Sequence, residues 1–217
     1  MKQKIVLILI VIILIFYSLL SRKEDFTNLN GQVLIIGNAP YNNIKNGRKI
    51  DSFDKVVRFN SFSTEGHQTY IGSKVTDWVV SDSYCTLEIK HFLKTFKKYP
   101  RVNLNIILPQ VFKNNVQKLK RTIPDYVEEK ANILVQGDDI IVDGKYNFGR
   151  RWPSTGILGI YYYLSKYDKI YITGFNHFDP KEKTIHYYEQ RKQIGHKHNL
   201  EKKIVDDLIL EGKVIRL

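Results

Sequence analysis

Residues 33–40, which read VLIIGNAP, decide the fold of this chain. Four aliphatic residues are followed by Gly37 and Asn38, a pattern that predicts a short buried strand with a turn at its carboxyl end. Ligands of open α/β sheets bind at the carboxyl ends of the strands, so the residues that follow a strand indicate what the sheet can bind. Asn38 is therefore a candidate ligand-binding residue, although a turn asparagine that only satisfies the local backbone fits the sequence equally well.

The rest of the chain alternates between strand and helix patterns. Runs rich in β-branched and aliphatic residues predict strands at 32–36, 55–59, 76–80, 103–108, 133–135, 169–173 and 214–217. Longer amphipathic or apolar segments predict helices at 87–98, 111–122, 156–167 and 200–210. Strands that alternate with helices favour a mostly parallel sheet with helices on both faces, so we predict an α/β fold in one globular domain.

The N-terminus carries an almost uninterrupted apolar run at 5–20. As a helix this run spans about 24 Å, against roughly 30 Å for the hydrocarbon core of a bilayer, and flanking Lys and Arg side chains can cover the difference. A cleaved signal peptide is the alternative, but no small-residue cleavage site follows Leu20. We therefore expect a transmembrane signal anchor at 1–21, a linker at 22–30 and a folded domain at 31–217. Basic residues flank both sides of the run, so the positive-inside rule barely decides its orientation.

The chain is basic, with a formal net charge of +12 and a pI near 9.5. Such a charge suggests nucleic acid, anionic lipid or anionic small molecules as partners. The basic residues are mostly scattered Lys with no block of five or more, which is more typical of a solvated surface. Because no nucleic-acid-binding motif is recognisable, we predict no nucleic-acid partner. Cys85 is the single cysteine, so no intramolecular disulfide can form.

Several common nucleotide sites are excluded by the sequence. Gly37 is not followed by the further glycines of a dinucleotide fingerprint, and no G-x-x-x-x-G-K-[ST] loop is present. The chain also has no Asp-x-Asp pair, which typically chelates the divalent ion on a nucleotide-sugar diphosphate. A donor with a single phosphate needs no such ion, so we predict neither a metal nor a cofactor. Asn60, at the end of the strand at 55–59, is a second candidate ligand residue, although alone it is more often structural.

Residues 153–156, PSTG, are a stronger indication of an anion site. A leading Pro, hydroxyl residues at the cap and a Gly that permits close approach are typical of a helix N-terminus. The unpaired N–H groups and the dipole of such a terminus attract a phosphate or a carboxylate. Ser154, Thr155 and Gly156 are therefore candidate binding residues, although an ordinary N-cap of a buried helix fits them too.

Two histidines near the C-terminus are candidate catalytic residues. His186 begins the segment HYYE, and His196 lies just ahead of the last predicted helix, five residues before Glu201. A neutral histidine can act as general base on an acceptor hydroxyl, while a protonated one can stabilise a departing phosphate. A zinc site is disfavoured, because His196 and His198 are two residues apart rather than four and Cys85 is remote.

Together these segments resemble the sialyltransferase family of the animal type. Its motif L is similar to VLIIGN at 33–38, VVRFN at 56–60 and GHQTYIGSKVT at 66–76. The two ends of motif S resemble PSTG at 153–156 and YDKIYITGF at 167–175. Motif III resembles HYYE at 186–189, and motif VS resembles the interval from His196 to Glu201. The matches keep their order at both ends of the domain and leave the middle, roughly 77–151, unmatched.

The resemblance implies a metal-independent, inverting glycosyltransferase on a Rossmann-like variant of the GT-A fold. It would transfer sialic acid from CMP-sialic acid to a hydroxyl of a glycoprotein, glycolipid or oligosaccharide. The two asparagines would contact CMP, PSTG would meet the phosphate or the sugar carboxylate, and two later residues would border the nucleotide; the implied set is Asn38, Asn60, Ser154, Thr155, Gly156, Gly174 and Phe175. His186, with Tyr187, would support the leaving phosphate, and His196 would deprotonate the acceptor.

The chain also departs from the animal pattern. Val33 and Tyr167 stand where animal members carry the two cysteines that join motifs L and S, and their joint absence resembles bacterial or viral relatives. Transfer of another CMP-activated acidic sugar stays open, as does an inactive, membrane-tethered glycan-binding relative. We expect a single-pass membrane protein of type II orientation, in the Golgi or secretory pathway if the host is eukaryotic.

Overall fold

The computed structural model describes residues 31–41, 44–109, 116–176, 186–188 and 197–217. Its strands are β1 (Val33–Ile36), β2 (Lys55–Phe59), β3 (Asp77–Ser81), β4 (Asn103–Leu108), β5 (Ala131–Val135), β6 (Ile170–Thr173) and β7 (Val214–Arg216). They form one sheet in the order β5-β4-β3-β2-β1-β6-β7, and every neighbouring pair is parallel. The predicted α/β class with a mostly parallel sheet is confirmed.

The helices between the strands are mostly short. They are α1 (Gly47–Asp51), α2 (Gln68–Ile71), α3 (Asp82–Leu87), α4 (Ile89–Lys98), α5 (Val116–Thr122), α6 (Asp125–Glu128), α7 (Thr155–Leu164) and α8 (His198–Leu210). The segment predicted as one helix at 87–98 spans the end of α3 and all of α4, because the backbone leaves helical geometry at Glu88 (φ −114, ψ 32). Of the helix predicted at 111–122, the part at 116–122 is α5, and 111–115 lie outside the described residues.

Helices cover both faces of the sheet, as predicted. Side chains alternate between the faces along each strand. Val33 and Ile35 of β1 join the apolar core beneath α7 and α8, while Leu34 and Ile36 join a second core with Phe53, just after α1. A third apolar cluster lies between the β3–β4 pair and helices α3 to α6. The sheet is therefore buried on both sides, which leaves its strand ends as the place for a ligand.

The strand order reverses beside β1, because the chain builds β2 to β5 on one side of it and then crosses to β6 on the other. Such a reversal opens a crevice outside the carboxyl ends of the two central strands. Here the two strand ends touch through backbone: the Gly37 N–H donates to the Thr173 carbonyl at 2.8 Å. A Cβ on Gly37 would lie 2.2 Å from the Gly174 carbonyl oxygen, and one on Gly174 (φ +70) would lie 2.3 Å from that of Gly37. Only glycine fits at either position.

The predicted anchor at 1–21 and linker at 22–30 lie outside the described residues. Within the part of the chain that the structure describes, no helix has the length and apolar character needed to cross a membrane. The anchor stays a prediction from the sequence.

Candidate functional site

A crevice of about 420 Å³ lies at the point where the strand order reverses. This volume falls within the usual range for small-molecule sites. Its walls come from the carboxyl ends of five strands, β1, β2, β3, β4 and β6, and from the start of α7. The sequence-predicted residues that line it are Asn38, Asn60, Ser154, Thr155, Gly156, Gly174, Phe175 and His186. The structure therefore brings together segments that lie far apart in the chain.

Asn38 ties the end of β1 to the end of β2. Its side-chain Nδ2 donates to the carbonyl oxygens of Phe59 at 3.1 Å and Ser61 at 3.0 Å. Because both partners are acceptors, the amide nitrogen is the atom that faces them. The Nδ2 of Asn38 therefore has a structural role, because it holds the two strand ends together. Its Oδ1 is the acceptor that Asn38 can offer to a ligand in the crevice.

Asn60 joins the end of β2 to the end of β3. It lies in the left-handed region (φ +41), which Asn tolerates better than most residues. Its Oδ1 accepts from the Ser81 N–H at 2.8 Å, and its backbone carbonyl accepts from Trp78 Nε1 at 2.7 Å. The side chain is therefore fixed by its oxygen, so that its Nδ2 is the donor that it can offer to a ligand.

The PSTG segment forms the N-terminus of α7, as predicted. Ser154 is the N-cap, and its Oγ accepts from the Ile157 N–H at 3.3 Å. Its own N–H donates at 2.8 Å to Glu201 on α8, a carboxylate that is only 3% exposed. The N–H groups of Thr155 and Gly156 have no acceptor among the described residues. Two backbone donors at the positive end of a ten-residue helix are therefore available to an anion.

Phe175 forms an aromatic wall of the crevice. Its ring packs edge-to-face on Phe59, with centroids 6.1 Å apart and an interplanar angle of 84°. A Cβ on Gly156 would lie 3.0 Å from Phe175 Cε1. Gly156 therefore lets this ring pack against the first turn of α7, a structural reason for glycine in addition to close approach of a ligand.

His186 and Tyr187 are adjacent in sequence but differ in their surroundings. His186 lines the crevice and stacks on Tyr188, with centroids 5.2 Å apart. Tyr187 is not part of the lining: its hydroxyl donates to the Ser63 carbonyl at 2.8 Å, and burial raises its pKa to about 12, against the opposing charge of Arg58. Tyr187 therefore holds the segment in place, and its hydroxyl would have to leave Ser63 to meet a ligand.

The segment that contains Tyr187 rests on the loop between β2 and β3. The Tyr187 ring meets the His67 ring edge-to-face at 5.1 Å. Arg58, which is 1% exposed, holds the same loop by donating to the carbonyls of Ile71 at 2.7 Å and Lys74 at 3.1 Å. Burial lowers the pKa of Arg58, although the nearby Tyr187 opposes this change. The parts of the sequence that resemble motifs L and III are thus in direct contact.

The predicted general base, His196, lies outside the described residues. His198 is the first residue of α8 and is half-buried. Within the described ranges, no group of three or more His, Cys, Asp or Glu side chains is placed to hold a metal ion. The role of His196 as general base and the independence from a metal ion stay predictions.

Sequence reasoning missed the residues at the carboxyl end of β3. Ser81, the last residue of β3, lines the crevice with Asp82 and Ser83, and Trp152 lines it ahead of PSTG. Ser81 is the N-cap of α3, with its Oγ 3.1 Å from the Tyr84 N–H. Burial raises the pKa of the Asp82 carboxyl, while a hydrogen bond from the Ser83 N–H opposes the rise. The strand-end rule applied to the strand predicted at 76–80 would have identified this segment.

Residues 32–213 match the model of glycosyltransferase family 29, the sialyltransferases, and the chain belongs to this family. It is 30% identical over 174 residues to the pig CMP-N-acetylneuraminate-beta-galactosamide-alpha-2,3-sialyltransferase 1, a match that covers 74% of this chain and 48% of the relative. The chain thus spans about half the length of that relative. The resemblance noted in the sequence is confirmed at the level of the family.

Solved structures share the fold. A crystal structure of a mammalian sialyltransferase in complex with Gal-beta-1-3GalNAc-ortho-nitrophenol has a TM-score of 0.63 at 23% identity, and covers 86% of this chain and 68% of that one. The structure of the sialyltransferase CST-II in complex with a trisaccharide acceptor and CMP has a TM-score of 0.57 at 18% identity. This match covers 86% of this chain and 80% of that one. The parallel seven-stranded sheet therefore has the GT-A-like architecture of sialyltransferases.

Proposed function

We propose that this chain transfers sialic acid from CMP-sialic acid to a hydroxyl group of a glycan, with inversion at the anomeric carbon and without a metal ion. The observation that carries the proposal is the crevice of a family 29 chain, which is lined both by two asparagines from strand ends and by the start of α7. The relatives support the choice of donor, because one solved sialyltransferase of this fold contains CMP.

The donor would bind with its anionic groups at the start of α7. The N–H groups of Thr155 and Gly156, together with the helix dipole, suit one phosphate and one carboxylate. Asn60 would add its Nδ2 as a third donor, and the Oδ1 of Asn38 would accept from a hydroxyl or amino group of the nucleotide. The ring of Phe175 would lie beside the nucleotide. None of the described lining residues is Lys or Arg, so neutral donors would carry most of this recognition.

The reaction would be a direct displacement. The acceptor oxygen would attack the anomeric carbon on the face opposite the phosphate, forming the new C–O bond as the bond to the CMP oxygen breaks. His196 would take the proton of the acceptor hydroxyl as general base, and His186 would stabilise the charge on the departing CMP. Because the nucleophile enters opposite the leaving group, the configuration would invert.

Donor binding and turnover test the proposal in one series of titrations. We expect the protein to bind CMP in preference to CDP, UDP and an oligonucleotide, with the same affinity in EDTA as in Mn²⁺ or Mg²⁺. It should then transfer sialic acid from CMP-sialic acid to a β-galactoside. Turnover that EDTA abolishes and Mn²⁺ restores would refute metal independence, and CMP binding without transfer to any acceptor would favour an inactive relative.

The two histidines near α8 provide a matched pair of variants. Loss of a general base costs roughly 10²–10⁴ in rate. The turnover rate of His196→Ala should therefore fall by that factor, with its CMP affinity nearly unchanged. His198→Ala should lose less than about tenfold, equivalent to roughly 1.4 kcal/mol. The reverse ranking would assign the general base to His198.

We also propose that residues 1–21 anchor the protein in a membrane as a type II single-pass segment. The support is the apolar run at 5–20. In a eukaryotic host this orientation would place the domain in the Golgi or secretory pathway. Release of the full chain from membranes by alkaline carbonate would refute the anchor.

A further inference from the structure

Asp82 is a carboxylate in the wall of the crevice that the proposed donor site does not use. It directly follows β3 and lines the crevice together with Ser81 and Ser83. Asp82 is half-buried, and among the described residues no Lys or Arg lies within ion-pair distance of it. The charge of Lys118 on α5 acts on the carboxylate from outside the crevice wall and lowers its pKa, which opposes the effect of burial. A carboxylate therefore faces a crevice in which the described walls provide no positive side chain to neutralise it.

Stabilisation of α3 does not by itself explain this carboxylate. A first-turn acidic residue interacts favourably with the helix dipole. However, α3 has only six residues, and Ser81 already supplies its cap through the Tyr84 N–H. A position inside the crevice is not required for either effect, and Asp125 at the start of α6 has the same helix position on an exposed surface.

The crevice is divided by the kind of hydrogen-bonding group that it offers. At the start of α7 the available groups are N–H donors, which suit an anion. Asp82 follows β3, whereas the start of α7 packs against Phe175, which follows β6. These two strands are three positions apart in the sheet order, about 14 Å at the usual strand spacing. An ionised carboxylate only accepts hydrogen bonds and repels other anions. The β3 end of the crevice therefore suits hydroxyl groups, whereas the phosphate and carboxylate of a donor belong at the α7 end.

The rim next to Asp82 also fits a sugar. Thr86 and Leu87 of α3 line the same wall, and the Leu87 side chain is 84% exposed. An exposed apolar side chain beside a carboxylate and a hydroxyl matches the alternating C–H and O–H surface of a pyranose ring.

We propose that Asp82 binds hydroxyl groups of the acceptor sugar and selects acceptors that carry no negative charge at that point. The inference rests on the proposed function and names the acceptor class within it: a terminal sugar with free hydroxyls is accepted, and one that carries a sulfate or carboxylate there is rejected.

The test compares two acceptors in the full-length protein, a neutral β-galactoside disaccharide and the same disaccharide with a sulfate ester on its terminal sugar. Asp82→Asn keeps the size of the side chain and removes its charge. We expect this variant to raise the KM for the neutral acceptor about tenfold, as for loss of a hydrogen bond to a charged group, and to reduce the preference for the neutral acceptor by about tenfold or more. The KM for CMP-sialic acid should not change.

Asp125→Asn is the matched control, because it removes a first-turn helix carboxylate outside the crevice. This control variant should have the wild-type KM for both acceptors and the wild-type melting temperature. If Asp82→Asn keeps the wild-type preference, or lowers kcat/KM equally for both acceptors together with the melting temperature, the inference is wrong and Asp82 is structural.

Failure of the proposed function would be recognised separately. If the wild-type protein transfers no sialic acid to any acceptor, acceptor binding is measured instead by saturation-transfer NMR with CMP present. Weaker binding of the neutral disaccharide to Asp82→Asn than to Asp125→Asn still supports the inference, and equal binding to the two overturns it.

Discussion

Asn38 and Asn60 occupy similar places at neighbouring strand ends, yet replacing each by Asp should have opposite consequences. Asn38 is fixed through its nitrogen, which donates to two carbonyl oxygens, whereas Asn60 is fixed through its oxygen, which accepts from the Ser81 N–H. Aspartate has nearly the same shape as asparagine but no donor when ionised. The substitution therefore tests which atom of each side chain holds the fold and which faces the crevice.

The magnitudes follow from these contacts. Asn38→Asp loses two hydrogen bonds of about 0.5–1.5 kcal/mol each and sets a carboxylate against two carbonyl oxygens, so we expect a loss of about 3 kcal/mol. For a domain of this size that loss lowers Tm by roughly 6–12 °C. Asn60→Asp keeps the bond to Ser81, so its Tm should change by no more than about 2 °C. The same variant loses a hydrogen-bond donor to an anionic ligand, which costs about 1.5–3 kcal/mol of binding free energy. This loss raises the Kd for CMP roughly 10- to 150-fold.

Thermal melts and CMP titration on the two variants complete the experiment. An Asn38→Asp protein that melts like the wild type would show that its amide does not brace β1 against β2. An Asn60→Asp protein that binds CMP with the wild-type Kd would show that the Asn60 nitrogen does not meet the ligand. The two results are independent, so that either part of the reasoning can fail alone.

Three further variants test other parts of the structure. Gly174→Ala should lower Tm by at least about 6 °C, because its Cβ would lie 2.3 Å from the Gly37 carbonyl oxygen at a positive φ; a melt within about 2 °C of the wild type would contradict this geometry. Tyr163→Phe removes a 2.9 Å bond to the buried Asp77, and should cost about 1–3 kcal/mol in urea unfolding with no change in CMP affinity. His186→Ala should lower kcat while the Kd for CMP changes by less than about tenfold; native kcat in steady-state assays would remove His186 from the mechanism.

The strands could be predicted from the sequence because each is a short β-branched or aliphatic run that ends at a turn residue. The predictions at 55–59 and 103–108 have the bounds of β2 and β4. Helices α1, α2 and α6 were not predicted, since four or five residues are too few to show a helical period. The break at Glu88 was also missed, because the apolar spacing on either side of it continues.

The site was predictable as a set of segments but not at the level of atoms. The predicted strand ends and the PSTG start of a helix correctly identified residues that line the crevice. The sequence does not reveal that the Asn38 nitrogen donates a hydrogen bond to the backbone carbonyl of Phe59 on another strand. Nor does it reveal that the Tyr187 hydroxyl donates to the carbonyl of Ser63, 124 residues away in the chain. Asp82 escaped notice because a Ser-Asp-Ser sequence after a strand also fits an ordinary helix start.

Val33 and Tyr167 stand where the sequence resemblance implies the two cysteines of a disulfide in animal sialyltransferases, and in this chain their strands are joined without one. Val33 opens β1 and is fully buried, and Tyr167 precedes β6 and packs against the same apolar core beneath α7. Because β1 and β6 pair directly, a covalent bridge at these positions would connect two strands that a hydrogen-bonded ladder and a shared core already hold together. These two strands are followed by Gly37 and Gly174, which approach each other closely and both line the crevice. The β1–β6 pair therefore connects the apolar packing of Val33 and Tyr167 at its amino end to the candidate site at its carboxyl end.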